Sequence, residues 1–188
     1  YDLRRELLPP DHPDRQESLN NLAILLEGDG QVDEARRMYE DALASARKIL
    51  GERHQFVATI LANLADLQDR MGQPLAAEEN YKAALKVWRE LRGQENPLCL
   101  FNYAEFLRQH KRIDEAEAQH RSCLKLRESL LPPEHLDLVR SRLSLAATLR
   151  ELKRYPESEA LVQRCLPRLE EGDAPQLLGI ASLLMGRL

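Results

Sequence analysis

The chain has 188 residues, of which 43% are hydrophobic and 31% are charged, so it can bury a core and general disorder is not expected. Aromatic residues make up only 5%, whereas Leu, Ala, Glu and Arg, which favour helices, are abundant. The net charge is −4 and the charges of both signs are interleaved, which argues against nucleic acid as a partner.

Neither a membrane-spanning stretch nor a signal peptide is recognisable in the sequence. No apolar stretch approaches the roughly 20 residues that cross a bilayer, so we expect no membrane contact. The three cysteines, Cys99, Cys123 and Cys165, form no metal-ligand pair and no paired framework, which suits a reducing compartment and predicts a cytoplasmic location. The sequence lacks a signal peptide and a starting Met, and we expect it to be a piece of a longer protein.

Three markers recur in order along the chain. The first has copies at Asn20–Ala23, Ala62–Ala65, Phe101–Ala104 and Leu143–Ala146, whose alanines lie 42, 39 and 42 residues apart. The second has copies at Gly30–Ala35, Gly72–Ala77, Lys111–Ala116 and Lys153–Ser158. The third has copies at Tyr39–Leu43, Tyr81–Leu85, His120–Leu124 and Val162–Leu166. Such regularity indicates a repeat protein.

The connectors repeat as well, and three of them contain histidine. Their copies are Leu8–His12, Leu50–His54 and Leu131–His135, with a shorter connector at Arg92–Pro97. A metal or acid–base role for these histidines is one interpretation. Equivalent positions in a repeat array stand one repeat apart, too far to share a metal, so we favour a residue that caps or packs against the following helix.

The residue pattern of each repeat predicts two helices. In the first repeat, Leu19, Leu22, Ala23 and Leu26 have helical spacing, and the Gly28–Gly30 turn ends that helix. A second helix is predicted from about Val32 to Leu50. One such pair cannot bury its apolar face alone, so neighbouring repeats must stack, and the recurring small residues are expected where helices cross closely.

The predicted organisation is a single array over residues 1–188. Residues 1–10 end a preceding repeat and its connector. Repeats one to four are residues 11–52, 53–94, 95–133 and 134–172. Residues 173–188 are a partial or capping helix, whose apolar character suggests that the array continues or that this end is buried.

The spacing of Ala23, Gly30, Ala35, Tyr39 and Ala42 resembles the tetratricopeptide repeat, and the second repeat matches it equally well. Repeats three and four depart from the pattern, with lysine in place of Gly and with His120 and Val162 in place of the aromatic residue. The long period resembles the kinesin-light-chain and nephrocystin-3 type. The resemblance implies an all-α, right-handed superhelical solenoid of antiparallel helix pairs that binds proteins.

Catalytic motifs are missing from the sequence, so we predict no enzyme activity, no catalytic residue, no metal and no cofactor. Cys123 and Cys165 occupy the position of Ala42 and Ala84 and are expected to be small core residues.

The predicted binding site is the concave face formed by the first helices. The resemblance implies that Asn21, Asn63 and Asn102 grip a peptide backbone, whereas an interhelical or turn-satisfying hydrogen bond is the alternative. Ile24, Glu27 and Ala147 are also expected on this face. The candidate peptide-binding residues are Asn20, Asn21, Asn63, Asp66, Phe101, Asn102, Glu105, Arg108, Arg140, Leu143 and Arg150.

Two functions follow from these residues. The first is an adaptor that binds an extended partner segment, with Phe101 as an apolar anchor and Arg108, Arg140 and Arg150 favouring acidic residues. The lysines and arginines of the clamp that holds chaperone tails in related proteins are absent here. The second is an architectural or regulatory arm of a larger signalling or ATPase protein, with possible self-association through the apolar C-terminal helix.

Overall fold

The structure is a computed structural model that describes residues 13–93, 95–170 and 174–186. Every regular element in these residues is a helix, so the predicted all-α fold class is confirmed. The helices are α1 (Pro13–Gly28), α2 (Val32–Leu50), α3 (Gln55–Arg70), α4 (Pro74–Arg92), α5 (Pro97–Gln109), α6 (Ile113–Leu130), α7 (Leu136–Glu151), α8 (Tyr155–Gln163), α9 (Leu166–Leu169) and α10 (Pro175–Leu184).

The chain forms two compact units, Tyr1–Cys99 and Leu100–Leu188, with the division inside α5. In the first unit α1 packs against α2, α2 against α3, and α3 against α4. In the second unit α7 packs against both α6 and α8, and α10 packs against α7, α8 and α9. Consecutive helices therefore bury each other's apolar faces, as the repeat pattern predicts.

The recurring small residues are buried between the helices of a repeat. Ala23 and Ala35 in the first repeat are completely buried. In the fourth repeat the Ser158 hydroxyl donates a hydrogen bond of 2.8 Å to the backbone carbonyl of Ala146, so these two small residues bring α7 and α8 into direct contact. A larger side chain at either position would push the helices apart.

The turn within each repeat has the same backbone geometry in all four copies. Gly30 and Gly72 have φ values of 79° and 73°, and Lys111 and Lys153, their equivalents, both have a φ of 61°. In each copy the residue after the turn donates a backbone hydrogen bond to the carbonyl five residues earlier, as Arg154 does to Leu149 at 2.8 Å. The two lysines therefore adopt a left-handed conformation that favours glycine.

The connector histidines cap helices, which confirms that interpretation for two of them. Nδ1 of His54 accepts a hydrogen bond of 3.1 Å from the backbone N–H of Phe56 at the start of α3. His135 does the same for Asp137 at the start of α7, also at 3.1 Å. His12 lies outside the described residues.

The second helix of the fourth repeat is interrupted. The α8 helix ends at Gln163, and the four-residue α9 follows after Arg164 and Cys165. Pro167 explains the break, because its ring would clash with the carbonyl of Gln163 in a straight helix and it has no N–H to donate. Leu169 and Ala181 are nevertheless fully buried in the core that joins α7, α8, α9 and α10.

The three cysteines are buried and poorly suited to nucleophilic chemistry. Cys123 and Cys165 are fully buried, as predicted for small core residues, and Cys99 is 3% exposed. Burial, aided by the charges of Asp66 and Glu95, raises the pKa of the Cys99 thiol to about 12. Burial raises the pKa of Cys165 to about 11, so both remain thiols at neutral pH.

Candidate functional site

A cavity of about 480 Å³ lies among α5, α7 and α10 in the second unit. Its wall is mostly apolar on the α7 and α10 sides and carries charged groups on α5 and at the start of α7. The lining residues are Phe101, Glu105, Arg108, Arg140, Leu143, Ser144, Ala147, Gln176, Leu177 and Ile180. An apolar surface with a few charged groups is typical of a site that binds side chains.

Arg108 forms the charged centre of this wall. One of its terminal nitrogens lies 2.8 Å from Glu105 and the other lies 3.0 Å from Glu151. Burial disfavours the charged guanidinium, but the hydrogen bonds and charges of the two glutamates outweigh burial and raise the pKa of Arg108. Arg108 is therefore a permanent cation whose charge is largely compensated within the protein.

Arg140 is the less compensated cation of the cavity. Its guanidinium is 3.4 Å from the Asp137 carboxylate, and its side chain is 54% exposed. A long, exposed ion pair of this kind contributes little stability, so Arg140 can turn toward an incoming carboxylate at small cost.

Phe101 is held from behind by two side chains of α6. His120 meets its ring in an edge-on arrangement with ring centroids 5.8 Å apart. The guanidinium of Arg127 lies 5.1 Å from the centre of the same ring. These contacts fix Phe101, so it contributes a rigid apolar surface to the cavity.

Arg127 is buried without a carboxylate at hydrogen-bond distance among the described residues. It is 4% exposed and donates to the backbone carbonyl of Asp137 at 2.9 Å and to the Ser141 hydroxyl at 2.7 Å. The equivalent position in the fourth repeat is the apolar Leu169. The repeat fold therefore does not require a cation at this position. The hydrogen bonds of Arg127 link α6 to α7 beside Phe101.

A second cavity, of about 340 Å³, lies in the first unit. It is lined by Ile24, Glu27, Gly28, Tyr39, Asn63, Asp66 and Arg70. The Tyr39 hydroxyl donates to Glu27 at 2.9 Å, and Arg70 pairs with the same carboxylate. Burial, together with the charge of Asp66, raises the pKa of Tyr39 to about 12.

The predicted site residues fall into three groups. Those that line the second-unit cavity are Phe101, Glu105, Arg108, Arg140 and Leu143. Those that line the first-unit cavity are Asn63 and Asp66. Asn20, Asn21, Asn102 and Arg150 line neither of these cavities.

The residues outside the cavities have other placements. Asn20 is 5% exposed and accepts a 3.1 Å hydrogen bond from the side chain of Asn63, which is the interhelical alternative considered for these amides. Asn21 is exposed and Asn102 is half-buried. Arg150 donates to the backbone carbonyl of Leu184 and lies 5.9 Å from the ring centre of Tyr155.

Sequence reasoning missed part of the second-unit site. It did not place Gln176, Leu177 and Ile180 on the binding surface, because α10 was interpreted as a cap or an interface. The available sequence signal was the short apolar helical pattern around Ala181, which resembles the first helix of a repeat. Ala181 is fully buried, as is Ala146. The only sequence signal for the contact between His120 and Phe101 was that histidine replaces the aromatic residue of the repeat at this position.

Residues 13–93, 95–170 and 174–186 contain neither a metal-ligand cluster nor a membrane-spanning helix. No group of three or more potential metal ligands occurs there. None of the helices built from those residues combines the length and the hydropathy needed to cross a membrane.

Comparison with protein families gives one match that covers most of the chain. The tetratricopeptide-repeat model matches residues 14–90 and 96–171. The chain belongs to the tetratricopeptide-repeat family. The predicted resemblance to the tetratricopeptide repeat is therefore confirmed, and such repeats are generally protein-interaction scaffolds.

The tetratricopeptide-repeat chain is similar to several named proteins. It is 30% identical over 124 residues to mitochondrial tetratricopeptide repeat protein 19 of Mus musculus, which covers 66% of this chain and 33% of the mouse protein. It is 30% identical over 89 residues to the clustered mitochondria protein homolog of Aspergillus oryzae, which covers 47% of this chain and 7% of that protein. The chain thus spans a third or less of these curated relatives.

Solved structures show the same fold. BtubC (BKLC) from P. vanneervenii superposes with a TM-score of 0.75 and 26% identity, covering 83% of this chain and 63% of that one. A putative kinesin light chain of Podosopora anserina with nearly identical repeats gives a TM-score of 0.70 and 20% identity, covering 92% of this chain and 83% of that one.

Proposed function

We propose that this tetratricopeptide-repeat chain is an adaptor that binds an extended segment of a partner protein through the second-unit cavity. The preferred segment carries an aliphatic or aromatic side chain next to an acidic residue. The observation that supports this proposal is the cavity itself, in which Phe101, Leu143 and Ile180 surround a space bordered by Arg140.

The apolar part of the cavity supplies most of the binding energy in this proposal. Burying one leucine-sized side chain contributes about 1.5–3 kcal/mol. Leu143 and Phe101 are held by the core, so little conformational entropy is lost when a ligand packs against them. Ile180, whose side chain is 43% exposed, gains the most cover on binding.

The charged rim supplies the sequence preference. Glu105 and Glu151 already compensate Arg108, whereas Arg140 has one long contact with Asp137. A ligand carboxylate beside Arg140 would form a partly exposed ion pair of about 0.2–1 kcal/mol. An acidic residue therefore tunes selectivity, and the apolar side chain determines whether binding occurs.

A peptide-library selection with the purified chain tests this proposal, followed by calorimetric titration of the enriched peptides. Ile180→Ala should weaken binding several-fold. Leu183→Ala is its matched control, because Leu183 is on the same helix, is 61% exposed and does not line the cavity. Arg140→Gln should weaken acidic peptides only, with Arg164→Gln as the control. Equal affinities for Ile180→Ala and Leu183→Ala would exclude this cavity.

Self-association is a second candidate function, supported by the exposed face of α10. That helix has no charged residue, and Ile180 and Leu183 are 43% and 61% exposed on it. Light scattering across a concentration series would detect a dimer. In this case Leu183→Glu should give a monomer at all concentrations, whereas it should leave the peptide affinity of the cavity unchanged.

The cytoplasmic location stays a prediction. The relatives named above carry mitochondrial designations, and a mitochondrial location for the protein that contains this chain is the competing proposal. Fractionation of cells that express the protein with its native flanking sequence would distinguish the two compartments.

A further inference from the structure

In the first two repeats a tyrosine of the second helix donates a hydrogen bond to a carboxylate of the first helix, and in the third repeat no such hydrogen bond is present among the described residues. The Tyr39 hydroxyl donates to Glu27 in the first repeat, and the Tyr81 hydroxyl donates to Asp66 in the second. His120 takes the tyrosine position in the third repeat. Its Nε2 lies 3.5 Å from Oε1 of Glu105, and no hydrogen bond joins the two atoms.

His120 is fully buried, and neither of its ring nitrogens has a hydrogen-bond partner among the described residues. Burying a polar ring without partners costs stability, so this arrangement needs an explanation beyond packing. Its two neighbours, Phe101 and Glu105, both line the second-unit cavity. His120 therefore lies directly beneath the proposed binding surface.

Glu105 connects the cavity to His120. Its Oε2 lies 2.8 Å from Arg108, and its Oε1 is the atom that faces the imidazole. An acidic ligand that approaches Arg108 and Arg140 meets the negative charge of Glu105. This repulsion opposes binding unless Glu105 is neutralised or turns away from the ligand.

We propose that His120 takes up a proton when an acidic segment binds in the second-unit cavity, so that imidazolium pairs with Glu105 and ligand affinity increases as the pH falls. This inference rests on the proposed function of the same cavity. The proton comes from solvent and binds Nε2 of His120, and no other bond forms or breaks. The new ion pair satisfies a ring nitrogen that has no partner in the free protein.

The charges around His120 favour this coupling. In the free protein burial lowers the pKa of His120, Glu105 partly offsets this effect, and Arg108 adds to it, giving a value of about 4. A ligand carboxylate beside Arg140 adds negative charge to the cavity and competes with Glu105 for Arg108, which draws the opposing cation away from the imidazole. Both changes stabilise the protonated ring.

The other helix that packs against α6 does not oppose the coupling. On α7 the position equivalent to Asp66 is the uncharged Ala147, and no α7 charge in the described residues contributes to the shift. Arg127 lies over Phe101 and does not contribute either. Glu105 and Arg108 are thus the charged groups that determine the protonation of His120.

The size of the effect follows from linkage. Burial, the largest cause of the low pKa of His120, remains in the complex, so a full return of that pKa from about 4 to about 6.5 sets the upper limit of the effect. At that limit affinity rises about tenfold between pH 7.5 and pH 5.5, and a partial return gives a smaller rise. Glutamate residues of the ligand remain almost fully ionised over this range, so the change reports on the protein.

Two experiments test the coupling. In the first, NMR titration follows the His120 ring in the free chain. Arg108→Gln should raise the pKa of His120 toward its ordinary value, because it removes the opposing cation and leaves Glu105 to the imidazole. An unchanged titration in this variant would overturn the coupling without reference to any ligand.

The second experiment uses a short, capped peptide with one leucine flanked by glutamates, titrated by calorimetry at pH 7.5 and 5.5 in buffers of different ionisation enthalpy. The wild-type chain should take up a measurable fraction of a proton, at most about one, at pH 5.5. His120→Tyr, which has the residue of the first two repeats, should bind with an affinity that does not change with pH. A peptide with glutamines in place of glutamates should also show no proton uptake.

The outcomes separate the two proposals. Binding that is equal at both pH values, or equally pH-dependent in His120→Tyr, would overturn the inference and leave the proposed function intact. Absence of binding at both pH values would overturn both proposals.

Discussion

Acid should destabilise the free chain through His120, and the magnitude follows from its burial. The side chain is fully buried and its pKa is lowered from 6.5 to about 4, first by desolvation and then by Arg108, against the attraction of Glu105. Between pH 6.5 and about pH 4 the unfolded chain binds a proton at this residue and the folded chain does not. The stabilising contribution is therefore present above pH 6.5 and is lost as the pH falls toward 4.

Linkage converts this shift into a free energy. With pKa values of 6.5 unfolded and about 4 folded, the loss between pH 7.5 and pH 4.5 is about 2.5 kcal/mol. That is a large fraction of the stability of a typical domain. Many carboxylates also titrate in this range, so the contribution of His120 must be measured as a difference between two proteins.

Urea unfolding monitored by circular dichroism supplies that difference. His120→Val is the comparison, because Val162 occupies the equivalent position in the fourth repeat. The variant loses packing at every pH, but it lacks the titrating ring. Wild type should lose about 2.5 kcal/mol more than the variant between pH 7.5 and pH 4.5. If the free energy of unfolding falls by the same amount with pH in both proteins, the assignment of a neutral, buried His120 is refuted.

Three further predictions concern stability at neutral pH and use the same unfolding assay. Ala35→Leu should destabilise the chain by about 1–3 kcal/mol because Ala35 is fully buried at a helix crossing, whereas Ala44→Leu on the exposed face of α2 should change stability by less than about 0.5 kcal/mol. Lys153→Gly should stabilise it by about 0.5–1 kcal/mol, since the φ of 61° strains lysine and the added chain entropy of glycine offsets part of the gain. His54→Ala should cost about 0.5–2 kcal/mol through loss of the cap on α3.

Each of these has a contradicting result. Equal effects of leucine at positions 35 and 44 would argue against the small-residue crossing. A destabilised Lys153→Gly would mean that the lysine side chain compensates for its backbone conformation. A His54→Ala variant as stable as wild type would show that the His54 cap does not stabilise α3.

Periodicity made the helices predictable, because every repeat must bury the same positions against its neighbours. The range from Val32 to Leu50 agrees with the structure for this reason, as do the buried small residues. The break after Gln163 was not predicted, although Pro167 is visible in the sequence. The repeat pattern alone favoured a continuous helix there, and the effect of one proline on backbone hydrogen bonding overrode it.

The sequence predicted which helix faces form the candidate site, but it did not predict which side chains form hydrogen bonds with each other. Spacing placed Phe101, Glu105 and Arg140 on one face, and all three line one cavity. Spacing could not show that Asn20 pairs with Asn63, because that bond depends on how adjacent repeats are offset. It also could not show that Glu105 turns toward Arg108 and leaves His120 without a hydrogen bond.

The most direct test of the proposed binding site is a methyl-NMR map of the complex with a selected peptide. The chain is labelled at its leucine and isoleucine methyl groups, and the peptide is added to saturation. The proposal predicts large shifts for Leu143, Leu177 and Ile180, with little change at Leu61 in the core of the first unit. Shifts confined to Leu183, or to methyl groups outside the second-unit cavity, would contradict it.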